Sequence, residues 1–443
     1  MFTVGLYTLG CKVSQYETEA IAEKFAEQGF VTVDFSVPAD IYVINTCTVT
    51  AESDRKCRQV IRRALRQNPK AKTIVLGCYS QRSPEEVEKI EGVSAIIGSA
   101  DKLSAVDIAK RLLDGGEPFG EGGIAKVTDI DEEPFEKMRI TGGPRTRVYV
   151  KIEDGCECRC SYCAIPSARG KVRSKPREEV LSEVFALADK GVCEIVLTGI
   201  ETGSYGVDFD MPYTLADLLC DIEREGKVKR IRLGSLAPEL IGEKFSSKIK
   251  NLKSLAPHFH ISIQSGSDKI LAAMRRRYKS ETALENIRRL KTFIPGARFT
   301  TDLMVGFPGE SEEDFLSTLD FVRKARFIDC HVFAYSRRKD TPAASMPCQV
   351  AEETKKERSE RLIAVCREVR DEVLSEIVER GEPLSVVFES EKGGCAFGHS
   401  AEFAEVSICL SENGVSFASV HGRIEKCIPV SHKDGVILAK LID

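Results

Sequence analysis

Apolar residues along this chain follow two rhythms in turn: short unbroken runs that fit buried strands, and longer stretches with a period of three to four that fit amphipathic helices. Val4 to Leu9, Ile41 to Asn45 and Thr73 to Leu76 are runs of the first kind, with a helical pattern from Tyr16 to Gln28 and a basic helix before the third run. Strand and helix in this order predict an open parallel sheet. A stretch rich in Gly, Asp, Glu and Pro from Asp114 to Pro144 breaks the pattern and reads as a linker. Strand-like runs resume at Arg147 to Ile152, Glu194 to Thr198, Arg230 to Leu233, His258 to Ile263, Arg298 to Val305 and Ile328 to Ala334. Helices separate these six strands, one of them capped by Ser280 and carrying Leu284, Ile287 and Leu290 on a single face. The pattern predicts a partial (β/α) barrel with its site at the strand C-termini. From Glu352 to Arg380, Leu362, Val365, Val369, Val373 and Ile377 mark an amphipathic helix. Beyond it, short alternating runs such as Ser385 to Phe388 and Val415 to Ala418, set off by Gly-containing turns, predict a small all-β barrel.

The expected fold is a multidomain α/β protein. Residues 1–115 form an N-terminal open parallel α/β sheet domain, 116–141 a linker, 142–372 a central partial (β/α)6 barrel, and 375–443 a small OB-like β-barrel. A chain of 443 residues suits that division, because single cores stop growing at about 250–300 residues. No stretch approaches the roughly 20 apolar residues of a membrane span, and Met1 to Leu6 lack the charged and apolar regions of a signal peptide. A cytoplasmic protein without membrane contact is expected. The net charge of -4 argues against a nucleic-acid partner only until its distribution is read. Between Arg55 and Lys72 there are eight Lys or Arg and no acid; Arg169, Lys171, Arg173, Lys175 and Arg177 form a second basic run, and Arg275, Arg276, Arg277 and Lys279 a third. One such run is an ordinary solvated face, whereas three favour a polyanionic substrate. Arg62, Arg63 and Arg169 are the candidate RNA contacts.

Sixteen cysteines in a chain without secretory features point to metal binding rather than disulfides. Cys156, Cys160 and Cys163 have the Cys-x3-Cys-x2-Cys spacing of a loop holding a four-iron, four-sulfur cluster by three thiolates. Electron-transfer clusters take four cysteines, so three leave one iron open, and S-adenosylmethionine is the ligand that suits it. A structural zinc loop uses the same residue type. Cys11, Cys47 and Cys78 each stand just beyond one of the first three strands. Strand C-termini of an open α/β sheet converge on one crevice, so these thiols can meet there; three unrelated buried cysteines are the alternative. Cys57 and Cys158 are read as non-ligands, the eight cysteines from Cys193 to Cys427 as buried small hydrophobes, and the six histidines show no metal-ligand spacing.

Taken with that barrel and the terminal β domain, three segments carry a family resemblance. They are Thr8 to Glu19 around Cys11, Asn45 to Thr50 around Cys47 followed by Asp54-Arg55-Lys56, and Leu76-Gly77-Cys78. Over nearly its whole length the chain resembles the radical S-adenosylmethionine methylthiotransferases, most of all those acting on threonylcarbamoyladenosine (t6A) in tRNA. The resemblance implies two 4Fe-4S clusters: a radical-generating one on Cys156, Cys160 and Cys163, and an auxiliary one on Cys11, Cys47 and Cys78 that supplies sulfur. It implies S-adenosylmethionine as cofactor and no catalytic side chain beyond the clusters. Thr198, Gly199 and Glu201 would meet the methionine amino group. Asp302 and Gly306 fall in a segment ending at Glu310 beside the adenine, with Asp302 where the family has Gly. Gln264 and Arg277 would contact ribose and carboxylate, with Tyr162 and Ser235 completing the cofactor lining. Gly398, Ser400, Phe403 and Val406 resemble the RNA-gripping TRAM module, with Phe403 as an RNA contact and a hold weakened by Glu389, Glu391, Glu402 and Glu405.

The reaction implied is removal of the C2 hydrogen of the modified adenine by a deoxyadenosyl radical and insertion of a methylated sulfur. It would act at position 37 in the tRNA anticodon loop, with an unidentified electron donor as second partner. Two other readings stand beside it. One is a methylthiotransferase for isopentenyladenosine in tRNA or for a ribosomal protein; the other is a non-catalytic, redox-sensing iron-sulfur RNA binder, which would need no cofactor pocket.

Overall fold

The computed structural model describes residues 1–116, 125–143 and 145–442. Of the expected linker, residues 117–124 lie outside the described residues, as does Pro144. The N-terminal sheet contains β1 (Thr3–Thr8), β2 (Val31–Val33), β3 (Ile41–Thr46), β4 (Lys72–Gly77), β5 (Val93–Ile97) and β6 (Ala125–Lys126). Its strands are parallel in the order β2-β1-β3-β4-β5-β6. The helices are α1 (Lys12–Glu27), α2 (Ala51–Gln67), α3 (Cys78–Arg82), α4 (Pro84–Glu88) and α5 (Ala105–Leu113). Both faces of the sheet are covered, which is why its strands read as unbroken apolar runs. Along β3, Ile41 and Val43 join one core with Ile21 and Phe25, whereas Tyr42 and Ile44 join a second with Ile61 and Ala64. Strand order reverses between β1 and β3, which places a crevice at their C-terminal ends.

The central segment contains β7 (Arg147–Lys151), β8 (Glu153–Asp154), α6 (Ile165–Arg169), β9 (Arg173–Ser174), α7 (Arg177–Asp189), β10 (Glu194–Thr198), α8 (Leu215–Glu225), β11 (Ile231–Leu233), β12 (Ser235–Leu236) and α9 (Glu243–Ile249). It continues through β13 (His258–Gln264), α10 (Asp268–Ala273), α11 (Ser280–Phe293), β14 (Arg298–Val305), α12 (Glu312–Ala325) and β15 (Asp329–Ala334). Parallel sheets β7-β10-β11 and β12-β13-β14-β15 follow one another around the partial barrel, with Gly234 between β11 and β12. Alternate residues divide its two faces. Phe259, Ile261, Phe299 and Leu303 pack in the outer core under the helices, leaving His258, His260, Thr300 and Asp302 on the inner face.

Helix α13 (Glu352–Arg380) runs unbroken through the boundary expected between 372 and 375 and packs its Leu362, Val365, Val369 and Val373 stripe into the same core. The last segment closes as a five-stranded barrel of β16 (Leu384–Lys392), β17 (Cys395–Ser400), β18 (Glu405–Cys409), β19 (Ile424–Lys433) and β20 (Val436–Leu441), ordered β16-β17-β18-β20-β19. The run Val415 to Ala418 is not a strand. It leads into the single-turn helix α14 (Phe417–Val420), whose Val420 is buried. Ser280 is the first residue of α11 rather than its cap, a role taken by Lys279.

The N-terminal and central domains are joined by buried charge. Glu17 of α1 accepts from Lys102 Nζ at 2.8 Å, Lys151 Nζ at 2.9 Å and Arg169 Nη1 at 2.5 Å. Asp154 completes the group, 2.6 Å from Lys151 and 3.1 Å from Arg169. All five side chains are buried. Burial opposes the charge on Glu17, but Arg169, Lys102 and Lys151 together hold its carboxyl well below the ordinary range; Asp154 is depressed likewise, with Arg169 and Lys151 overcoming its burial. One residue earlier on α1, Tyr16 donates to Met138 O at 2.8 Å and to Glu183 Oε1 at 3.1 Å, and Glu183 also pairs with Lys175. Helix α1 therefore belongs to both domains. Arg169, expected as an RNA contact, is corrected by this arrangement: it is fully buried and presents no charge to solvent.

Removing one partner of a buried charged group costs about 3–5 kcal/mol. Glu17→Gln is expected to lower the first urea-unfolding transition by that amount at pH 7. Because both carboxyls are depressed in the folded state, their contribution is complete above about pH 4.5 and is lost as pH falls below it. Acid titration of wild type should thus separate the domains below about pH 4.5, and Glu17→Gln should show a smaller acid loss.

Candidate active site

Cys11, Cys47 and Cys78 stand immediately beyond β1, β3 and β4, at the crevice. Gly10 lies against this group: a Cβ there would sit 3.3 Å from Cys47 Cβ and 2.9 Å from Ser14 Oγ. Burial pushes the Cys47 thiol up to about 12, with the neighbouring Cys78 and Cys11 adding to it, and burial raises Cys78 as well. Arg169 Nε donates to Cys78 Sγ at 3.0 Å, so the ion group at the domain junction reaches an N-terminal cysteine. Cys57 is not part of the set. Its sulfur is used locally, donating to Cys47 O at 3.3 Å and accepting from Cys47 N at 3.4 Å.

The second cysteine loop follows β8. It begins at Gly155, where φ is +88° and a Cβ would fall 1.9 Å from Lys171 O, a position only glycine can hold. Cys156 N donates to Gly170 O at 2.9 Å, Ser161 N to Met274 O at 3.0 Å and Ala343 N to Ser161 O at 2.8 Å, which pins the loop against the ends of α6 and α10. Two donors aim at the sulfurs: Ile165 N lies 3.4 Å from Cys163 Sγ, and Arg276 Nη1 lies 3.4 Å from Cys160 Sγ. Burial raises the Cys163 thiol to about 12. A hydrogen bond between Cys156 and Cys158 raises the former and, with Arg276, brings Cys158 down to about 6 despite its burial.

Among the described residues, no group of three or more His, Cys, Asp or Glu side chains is gathered closely enough to hold a single metal ion. Both cysteine sets nonetheless suit a larger inorganic cluster, which spreads its thiolates further apart than one ion does. Each offers three thiols, and at least one sulfur in each already has an N–H or guanidinium aimed at it, the kind of bond that tunes a cluster.

The residues expected around S-adenosylmethionine separate into two groups. Thr198 ends β10, and Glu201 just beyond it is buried, accepting from Ala237 N at 2.9 Å; burial lifts its carboxyl to about 8. Gly199 is tight, since a Cβ would meet Glu153 Oε2 at 2.3 Å. Gln264 has φ +71° at the irregularity between β13 and β14, and its buried Oε1 has no hydrogen-bond partner, an acceptor left for a ligand hydroxyl. Tyr162 stands edge-on to Phe307 with ring centroids 6.5 Å apart, and Ser235 begins β12 opposite His260. These residues fit the cofactor. Arg277 does not: it is exposed and reaches only Glu157 O at 3.5 Å. Its neighbour Arg276, missed in the sequence, turns inward to Cys160 and Ser262 O. Gly306 has φ +70° and must stay open for the Lys355 stem, while Glu310 accepts from Gly306 N and Arg358, a role in shaping the turn. Asp302 faces the lumen between His260 and His331.

Arg62 and Arg63 are exposed on α2, which starts just beyond Cys47. Phe403 is not free for RNA. It stacks on His258 of the central barrel at 4.3 Å and on His399 at 4.8 Å, with Arg232 and Arg147 over its ring, so the C-terminal barrel plugs the floor of the lumen with it.

Comparison with known proteins bears on this geometry. Residues 150–322 match the radical SAM superfamily, and residues 3–98 match the uncharacterized protein family UPF0004. Threonylcarbamoyladenosine tRNA methylthiotransferase MtaB of Bacillus subtilis (strain 168) is 43% identical over 391 residues, 88% of this chain and 85% of that protein. The protein of the same name from Thermotoga maritima is 38% identical over 83% of each. A tRNA-2-methylthio-N(6)-dimethylallyladenosine synthase from Desulfitobacterium hafniense is 34% identical over 80% of each. Among solved structures, the radical S-adenosylmethionine methyltransferase TsrM from Kitasatospora setae superposes with a TM-score of 0.59 over 77% of each chain at 16% identity, a likeness of fold.

Gly155→Ala is expected to prevent the second cysteine loop from closing. After anaerobic reconstitution its iron content should fall to that of Cys156→Ala, with wild-type far-ultraviolet circular dichroism.

Proposed function

Since the chain belongs to the radical SAM family of threonylcarbamoyladenosine tRNA methylthiotransferases, we propose that it converts t6A at position 37 of tRNA to its 2-methylthio derivative. One observation carries the reading. Arg169 lies six residues beyond Cys163 yet donates to Cys78, so a single side chain ties the second cysteine loop to the N-terminal cysteines. An enzyme that makes a carbon radical and delivers sulfur to the same carbon needs those two sites side by side.

Membership in the superfamily brings S-adenosylmethionine and one four-iron cluster; we assign that cluster to Cys156, Cys160 and Cys163 and a second to Cys11, Cys47 and Cys78. When bound, these groups supply a carbon radical that takes the C2 hydrogen and the sulfur that replaces it. The chain's own residues position and shield. Ile165 N–H and the Arg276 guanidinium hold Cys163 and Cys160 in place and offset their charge as thiolates. Glu201 and Gln264 take the polar ends of the cofactor. The Phe403 plug closes the lumen to water from below. No side-chain base is required, because an aromatic C–H of this kind has no useful acidity.

The exposed arginines of α2, including Arg62 and Arg63, begin beside the auxiliary cysteines and give the anticodon arm a cationic track. The C-terminal barrel adds to that grip as a TRAM-like module, by surfaces other than Phe403. Among the described residues no helix is long and apolar enough to cross a membrane; on the strength of the tRNA substrate we assign the enzyme to the cytoplasm, with an electron donor as its second partner.

The test is turnover by reconstituted enzyme of three tRNAs carrying t6A, isopentenyladenosine or unmodified adenosine at position 37, with the nucleosides read by mass spectrometry. Methylthiolation confined to t6A is expected. Conversion of the isopentenyl substrate alone would assign the chain to the other branch of the family.

A further inference from the structure

Across β13, β14 and β15 the inner face of the barrel carries an unbroken line of polar side chains. The register sets His260 opposite Thr300 and Asp302 opposite His331. His258 Nε2 and His260 Nδ1 lie 3.0 and 2.9 Å from Thr300 Oγ1, His260 Nε2 lies 3.3 Å from Asp302 Oδ2, and His331 Nδ1 lies 3.4 Å from Asp302 Oδ1. Two rings flank one carboxylate, and His331 is otherwise exposed, its Nε2 without a hydrogen-bond partner among the described residues. The strand faces opposite are apolar and buried in the core, and of this line only His258 is taken up by packing, against Phe403, which leaves His260, Asp302 and His331.

Lys12 approaches it from the other domain. It is the first residue of α1, directly after Cys11, and its charge interacts with Asp302 of the line and with Arg147 and Arg232 at the lumen floor. Among the described residues Lys12 makes no ion pair. A cation half withdrawn from water, close to other cations and without a partner, is costly unless an anion comes to it. The folding contacts among the described residues supply none, and Lys12 directly follows Cys11, one of the three N-terminal cysteines.

We infer that Lys12, His260, Asp302 and His331 form the pocket for the threonylcarbamoyl group of the substrate, with Lys12 and His331 receiving its carboxylate. The inference rests on the t6A reading above and deepens it. The group attached to N6 of t6A carries a carboxylate, a hydroxyl and ureido N–H groups. Lys12 Nζ is a donor for the first, and so is the free Nε2 of His331 in the imidazolium form that its bond to Asp302 favours. Asp302, already held by two rings, keeps lone pairs for a hydroxyl or an N–H. An isopentenyl group would strip water from the same side chains and return no hydrogen bond, the situation in which polar sites discriminate most strongly.

The experiment uses reconstituted holoenzyme and three anticodon stem-loop RNAs, carrying t6A, its neutral threoninamide analogue, or isopentenyladenosine. The quantity read is the ratio of kcat/KM for t6A over the amide within each protein, in which incomplete cluster loading cancels. Wild type is expected to favour the carboxylate by about tenfold or more, and Lys12→Met and His331→Asn each to bring the ratio close to one through KM. His331→Asn lies on β15, away from either cysteine set, and decides the matter where Lys12→Met loses its clusters. A wild-type ratio near one, or an unchanged ratio in His331→Asn, overturns the pocket. A wild type that turns over only the isopentenyl RNA overturns the functional reading instead, and does so before any variant is compared.

Discussion

A guanidinium with no access to water sets the geometry of this protein. Arg169 is held by Glu17 from the first domain and Asp154 from the second, and its remaining Nε–H points at Cys78. Charge is tolerated in such a place only when every donor has an acceptor of opposite sign. The group counts three cations, Lys102, Lys151 and Arg169, against two carboxylates, Glu17 and Asp154. A thiolate at Cys78 would balance it. Arg169 thereby pulls Cys78 toward the ionised sulfur that a metal cluster requires, against the burial that raises this thiol.

From that junction the rest follows in steps. The parallel N-terminal sheet delivers its cysteines to one crevice because its order reverses between β1 and β3. The partial barrel delivers its own loop at the strand C-termini, and Gly155 lets the chain turn under Lys171 to form it. Phe403 stacked on His258, the first residue of β13, closes the interior at the N-terminal ends of its strands, opposite the end where the second cysteine loop follows β8. Radical chemistry needs water kept out, and a lumen plugged below by Phe403 meets part of that need.

Much of this was readable in the sequence, for definite reasons. Strands covered on both faces leave unbroken apolar runs, so β1, β3 and β4 and the six positions of the central barrel stand out, and cysteines at fixed places beyond them mark the site. What escaped depends on partners far along the chain. Arg169 sits in a basic run and reads as a surface charge; the acid that buries it, Glu17, lies 152 residues away. Arg276 and Arg277 are adjacent and chemically alike, and only the turn after α10 decides which of them faces Cys160. Phe403 resembles a stacking platform, yet its φ of +75° turns it into the barrel floor. The run Val415 to Ala418 alternates like a strand, but it has no neighbour to pair with and its aromatic residue begins a helical turn.

The central claim is that both cysteine sets face one cavity, each with a cluster of its own. Electron paramagnetic resonance of the fully reduced protein tests it directly, set beside Cys11/Cys47/Cys78 and Cys156/Cys160/Cys163 triple-alanine variants. Two clusters in one cavity should couple, so the wild-type signal should be broadened and split relative to the sum of the two variant spectra, and each variant should keep about four irons of a wild-type eight. A wild-type spectrum equal to that sum would place the clusters too far apart for sulfur to reach the radical carbon, and loss of all iron in either variant would mean a single shared cluster.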